Sequence, residues 1–206
     1  MIEILLNDKA YEQDIRELLM AFYPGETYSH EPSPQSDFSV EGMVDQAKRH
    51  VSLKVVSHKR QEIPELPADM GEAVEEELEH VEEPIEVNYE NRLETKSRIK
   101  RRLYALLVLQ TGRLLPWGTL TGIRPTKIVM TKLEAGQTCQ EIAASMKDTY
   151  FTSDEKTSLA IRTAVHEREL LKTLNYENGY SLYIGIPFCP TTCLYCSFTS
   201  FPIGQW

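Results

Sequence analysis

The stretch Tyr180-Ser-Leu-Tyr-Ile-Gly-Ile-Pro187 is apolar on both sides of an extended chain, and it runs directly into three cysteines, Cys189-Pro-Thr-Thr-Cys193-Leu-Tyr-Cys196. Asn178-Gly179 is a turn signal ahead of it, and Pro187 closes it, so the residues between read as one strand. A strand without a polar face belongs in a sheet covered on both sides, which is the environment of parallel α/β architecture. Gly185 leaves space beside the strand. In such sheets metals and ligands sit beyond the carboxyl ends of the strands. The cysteine loop therefore occupies the position of an active site rather than that of a structural staple.

The spacing narrows the chemistry. Thiols separated by three and then two residues wrap three corners of a cubane iron–sulfur cluster from one short loop. A closed tetrahedral zinc site or a four-thiolate cluster needs one more ligand. No histidine follows His166, and Cys139 lies fifty positions upstream among ordinary helix residues, where it reads as a small buried hydrophobe. A site one protein ligand short leaves a metal corner open to an external molecule, which is a catalytic design. The competing reading is a zinc knuckle completed by another chain or by residues outside this sequence.

Four cysteines, three of them within eight residues, are not a secreted disulfide framework. The N-terminus lacks the basic region and cleavage site of a signal peptide, and no run approaches the length of a membrane span, so a cytoplasmic protein without membrane association is expected. The net charge of −9 is unevenly placed: twelve acidic residues and no lysine or arginine lie between Gln61 and Asn91. The global charge therefore says little about any single binding surface.

Along the chain, residues 1–60 read as a small α+β unit. Ile2–Leu6 forms a strand, and Ile15, Leu18, Leu19 and Phe22 recur at helical spacing until Pro24-Gly25. Residues 38–44 and 51–56 alternate as strands, and 85–89 adds another that extends this unit. Residues 61–84, with prolines at 64, 67 and 84, read as an acidic linker or surface excursion, or as a mimic for a basic partner. A helical segment covers 91–175. Its first helix is capped by Asn91 and Glu94, and carries Arg92, Lys96, Arg98, Lys100, Arg101 and Arg102 on its polar face. That stripe solubilises the helix, holds an anionic substrate, or docks on the acidic segment. Thr138 with Glu141 and Thr152 with Glu155 are two capping boxes. In the helix after the second, Leu159, Ala160, Thr163, Val165, Leu170 and Leu174 are the expected packing positions. This helix pair imitates a DNA reader, but its second helix mixes acidic with basic residues, so nucleic acid is not an expected partner. Gly118-Thr-Leu-Thr-Gly-Ile-Arg-Pro-Thr-Lys127 is either a turn entering a helix or an anion site made by backbone N–H groups with Arg124 and Lys127.

The cysteine triplet, with Tyr195 ahead of Cys196, resembles the radical S-adenosylmethionine superfamily. The wider string from Tyr183 to Phe198 is similar to its oxygen-independent coproporphyrinogen III oxidase (coproporphyrinogen dehydrogenase) branch, and Leu120–Ile128 to the members with a long N-terminal extension. That resemblance implies a [4Fe-4S] cluster on Cys189, Cys193 and Cys196, with S-adenosyl-L-methionine bound at the open iron and cleaved to a 5′-deoxyadenosyl radical. It implies Tyr183 beside the cofactor or cluster and Tyr195 against the nucleoside. The substrate implied is a tetrapyrrole whose propionates are oxidatively decarboxylated in haem biosynthesis, with flavodoxin or ferredoxin as electron donor. Residues 180–206 would then be the first barrel strand and cluster loop of an incomplete α/β radical S-adenosylmethionine barrel, which needs on the order of 200 residues. Only ten residues follow Cys196. The chain by itself is therefore expected to be the inactive N-terminal part of an oxidoreductase. Phe198 stands where the oxidases of the branch carry a further cysteine, which keeps open a haem-chaperone-like relative that binds tetrapyrrole without oxidising it. A third alternative makes the N-terminal region an interaction module.

Overall fold

A computed structural model describes residues 1–58, 64–122, 124–174, 178–191, 193–194, 196 and 201–202. The protein is mixed α+β, with six α-helices and a five-stranded mixed sheet among the described residues. It divides into two compact units, Met1–Arg168 and Glu169–Trp206.

The first unit is built on the strands β1 (Ile2–Leu6), β2 (Tyr28–Ser29), β3 (Phe38–Asp45), β4 (His50–Ser57) and β5 (Ile85–Glu86), in the order β2-β1-β3-β4-β5. β1 is parallel to both of its neighbours, whereas β3, β4 and β5 pair antiparallel. The period-two pattern sets the faces: Val40 and Leu53 point into the core, while Glu41 opposes Lys54 on the outer face. Gly42 leaves room on the inner face for Leu6, whose Cδ2 would stand 2.5 Å from a Cβ there. The expected strand at 85–89 shortens to β5: the Val87 amide still reaches the Arg49 carbonyl at 2.7 Å, and the Asn88 amide then turns to the Thr95 hydroxyl at 2.9 Å.

Helix α1 (Glu12–Phe22) buries Ile15, Leu18, Leu19 and Phe22 against this sheet, the four positions its spacing marks. Acidic α2 (Glu72–Glu79) comes next, and α3 (Arg92–Thr111) crosses the same core with Ile99, Leu103 and Leu107 fully enclosed. The Asn91 side chain accepts from the Glu94 amide at 3.2 Å, and left-handed Gly112 ends α3. Tyr104 joins α3 to the loop beyond it. Its hydroxyl accepts from the Leu115 amide at 2.9 Å, and its ring lies 5.4 Å from those of both Phe22 and Phe151.

A second core forms where α4 (Pro125–Glu134), α5 (Cys139–Tyr150) and α6 (Asp154–Leu171) meet through Val129, Ile142, Met146, Ala160 and Ala164. The Thr138–Glu141 capping box is present. The second cap lies one residue later than its sequence suggests. Ser153 accepts from the Lys156 amide at 3.3 Å, while the Thr152 hydroxyl is buried against that of Thr157 at 2.7 Å. The expected packing face of α6 is partly corrected. Ala160 is buried as expected, together with Thr157 and Ala164, whereas Leu159, Leu170 and Leu174 are exposed. Cys139, expected to be buried, is exposed at the first position of α5, with Ile142 and Met146 turned inward instead.

Most of the acidic segment is exposed, and α2 docks it onto the first unit through two side chains. Val74 is buried in the main core, and Glu77 lies between two arginines of α3. Its carboxylate receives Arg102 Nε at 2.9 Å and Arg101 Nε at 3.1 Å. Arg102 also donates to the carbonyls of Val81 and Glu83. Arg101 donates to the Asp148 carbonyl at the end of α5 and lies 4.3 Å over the Phe151 ring. The rest of the basic stripe is similarly engaged: Lys96 with Asp14 at 2.6 Å, and Arg92 with the Ala10 carbonyl at 3.1 Å.

In the second unit, residues 180–187 form no strand among the described residues, and Tyr180, Leu182, Ile184 and Ile186 are all exposed. A strand apolar on both faces exists only through neighbouring strands and covering helices, and the described residues supply neither. What forms is a two-residue parallel pairing of β6 (Phe188–Cys189) with β7 (Phe201–Pro202). None of the described helices is long and apolar enough to cross a membrane.

Two outcomes follow from this packing. Replacing Glu77 with alanine leaves Arg101 and Arg102 without their shared, mostly covered partner and lowers unfolding free energy by about 2 kcal/mol in urea titrations. Exposed Glu76→Ala leaves the midpoint unchanged. Burial pushes the Tyr104 hydroxyl up to about 12 from an ordinary 10.0. Its stabilising contribution is full below pH 10 and lost as pH rises through about 12. Tyr104→Phe removes that part of the alkaline loss and costs about 1 kcal/mol at neutral pH.

Candidate metal centre

The β6–β7 pairing closes the cysteine loop at its base. Phe188 and Cys189 pair with Phe201 and Pro202, the Phe201 amide donates to the Pro187 carbonyl at 2.7 Å, and the Phe188 and Phe201 rings lie 6.3 Å apart. Cys189 is thus a strand residue at the mouth of the loop. Cys193 and Cys196 sit further along, where the Cys196 amide donates to the Cys193 carbonyl at 3.0 Å. Cys193 is exposed, Cys189 and Cys196 are partly covered, and no disulfide joins the described cysteines.

Cys189 lies in the strand that precedes the other two. Among the described residues no group of three or more His, Cys, Asp or Glu is gathered for a metal ion. The donor set, three thiols on one loop closed by β6 and β7, suits a thiophilic cluster. In small metal loops the ligands close around the metal as it binds, because binding and local folding are one step. Tyr183 is 84% exposed, in the extended stretch before β6. Tyr195 and Phe198 lie outside the described residues.

Arg124 and Lys127 belong to the first unit. Arg124 is the residue before α4, Pro125 takes the first helical position, and the Lys127 amide donates to the Arg124 carbonyl at 3.1 Å. The Arg124 guanidinium is largely exposed and 4.0 Å from Glu167 on α6. The same motif also fastens the fold. Gly118 has φ +55, and a Cβ there would collide with the Tyr150 carbonyl, whose oxygen receives the Thr119 amide at 2.8 Å. Thr121 receives a hydrogen bond from Lys100 Nζ at 2.8 Å and gives one to Glu17 at 3.2 Å, linking α3, the loop and α1. Sequence reasoning missed this connection. Its available signal was a lysine at the inner margin of the basic stripe and a threonine between Leu120 and Gly122.

The chain is 29% identical over 208 residues to the oxygen-independent coproporphyrinogen-III oxidase-like protein HemZ of Bacillus subtilis (strain 168). The similarity takes in 97% of this chain, which spans 38% of the relative's length. No protein-family model matches the chain. No solved structure matches it.

Burial lowers the Lys100 ammonium below its ordinary 10.5, against the opposing pull of Asp14 and Glu17. Between the lowered value and 10.5 the unfolded chain binds more protons there than the folded one, so the lysine's contribution to stability rises with pH. Urea titrations of Lys100→Met beside the unmodified chain, from about pH 8 to about pH 10, are expected to show the unmodified protein gaining on the variant as pH increases.

Proposed function

We propose that the chain is the N-terminal part of a radical S-adenosylmethionine oxidoreductase of the oxygen-independent coproporphyrinogen oxidase type. Cys189, Cys193 and Cys196 hold a [4Fe-4S] cluster. The observation that carries this reading is the spacing of three thiols on a closed loop, at the end of a chain that aligns over nearly its whole length with an oxidase-like relative. When bound, the cluster supplies an open iron for the methionine part of S-adenosyl-L-methionine and the electron for its reductive cleavage. The chain's own residues provide the thiolates, the β6–β7 closure that limits the loop, and Tyr183 and Tyr195 as cofactor contacts. The substrate proposed is a tetrapyrrole, whose propionate carboxylates suit arginine and lysine donors such as Arg124 and Lys127. Flavodoxin or ferredoxin is the proposed electron donor, and residues beyond this sequence complete the barrel.

Phe198 favours a second reading, a relative that handles tetrapyrrole without oxidising it. The whole protein supplied with coproporphyrinogen III separates the two, since protoporphyrinogen forms only under the first.

The cluster is tested on this chain directly. Anaerobic reconstitution with ferrous iron and sulfide is expected to load about four irons per chain, with the thiolate-to-iron absorption of a cubane. Cys189→Ala, Cys193→Ala and Cys196→Ala each abolish loading, whereas Cys139→Ala leaves it intact. Loading that survives loss of any of the three sinks the assignment.

A further inference from the structure

The sheet of the first unit ends on β2, and one residue of that strand has its backbone turned outward. Tyr28 lies opposite Ile2, whose amide donates to the Thr27 carbonyl at 2.9 Å. Along a strand, successive residues direct their N–H and C=O groups to alternate sides. Thr27 and Ser29 therefore bond toward β1, and the Tyr28 N–H and C=O face the open edge. An exposed edge of this kind is a template for a further strand.

Beside this edge lies an open groove of about 530 Å³ between α1 and the chain leading into β2. α1 contributes Arg16 and Met20, both exposed and one helical turn apart. The Arg16 guanidinium lies 5.5 Å from the centre of the Tyr28 ring, and no described carboxylate pairs with it. The groove's own carboxylate, Glu26, is taken by the Met1 ammonium at 2.9 Å. One positive charge thus stands without a counter-ion beside Met20, an apolar side chain that is 52% exposed. Four residues of helix rise about 6 Å and two residues of strand about 6.6 Å, so side chains at i and i+2 of an added strand match Arg16 and Met20.

We infer that β2 and this groove bind an extended segment of a partner protein as a further strand of the sheet, with an acidic residue on Arg16 and an apolar residue two positions away against Met20. The Tyr28 N–H and C=O supply the main-chain pairing, and the two side-chain contacts set the sequence that is read. The unpaired guanidinium selects an acidic partner over a basic one. The assignment stands on the first unit alone and is independent of the cluster.

The test is fluorescence anisotropy of a short labelled peptide with glutamate and leucine two positions apart in a threonine background, titrated with the whole chain. Saturable binding that weakens as salt is raised is expected. Placing the glutamate and leucine side by side puts them on opposite faces of the strand and weakens binding at least about ten-fold. Arg16→Gln, an exposed substitution that leaves the unfolding midpoint unchanged, weakens binding by a similar factor. Arg16→Glu reverses the preference and takes a peptide with lysine in place of glutamate. Hydrogen exchange followed by NMR reads the backbone: the Tyr28 amide slows when peptide binds, and the Val40 amide inside the sheet does not change. No binding of the glutamate–leucine peptide, equal binding of its side-by-side isomer, or an Arg16→Gln chain that binds as the unmodified one does overturns the inference. Binding that leaves exchange at Tyr28 unaltered overturns the added strand.

Discussion

Glu77, held between Arg101 and Arg102, is the contact on which the helical part of the first unit depends. A carboxylate with little exposure among buried side chains is tolerable only when it is paired and hydrogen-bonded, and here both of its oxygens are engaged. The cost of removing it would fall on three elements. α2 would lose its anchor beside Val74, Arg102 would keep only the carbonyls of Val81 and Glu83, and Arg101 would lose the partner that steers it toward Asp148 and Phe151. The sheet core and the α4–α6 core are thus tied through one helix, α3. The same helix carries Lys100, which fastens the loop leading into α4 through Thr121. The basic stripe is mostly spent inside the molecule, which argues against it as the seat of a large anionic substrate.

The loop before α4 and the cysteine loop share a construction principle. Each is pinned by a backbone hydrogen bond, the first from the Thr119 amide to the Tyr150 carbonyl at the end of α5 and the second from the Phe201 amide to the Pro187 carbonyl. Short closure of this kind reduces the entropy that a ligand must overcome to order the loop. It also explains how a cysteine loop can keep a defined base before any metal draws its thiols together.

Much of the fold was legible because its signals are local. The apolar spacing of Ile15, Leu18, Leu19 and Phe22, the Asn91 cap, Gly112 and the Thr138–Glu141 box each act within one or two turns, and each is present. What escaped depends on partners distant in sequence. Val74 is one apolar residue among glutamates, so its docking could not be read from charge density. The inner face of α6 is made of alanine and threonine, which carry a weak hydrophobic signal although they allow the closest approach. Residues 180–187 carry the pattern of a doubly covered strand, but that pattern only becomes a strand when a sheet surrounds it. In the candidate site, the cysteine spacing was legible and the closure of its loop was not, because β6 pairs with residues thirteen positions further on.

The central claim is an iron–sulfur cluster with one iron left open by a three-thiolate loop. Its most direct test is electron paramagnetic resonance of the reconstituted, dithionite-reduced chain, recorded before and after S-adenosyl-L-methionine is added. An open corner predicts a reduced-cubane signal whose g-values shift on addition of S-adenosyl-L-methionine and stay unchanged when buffer alone is added. A cubane signal indifferent to the cofactor, or no cluster signal at all, would contradict it.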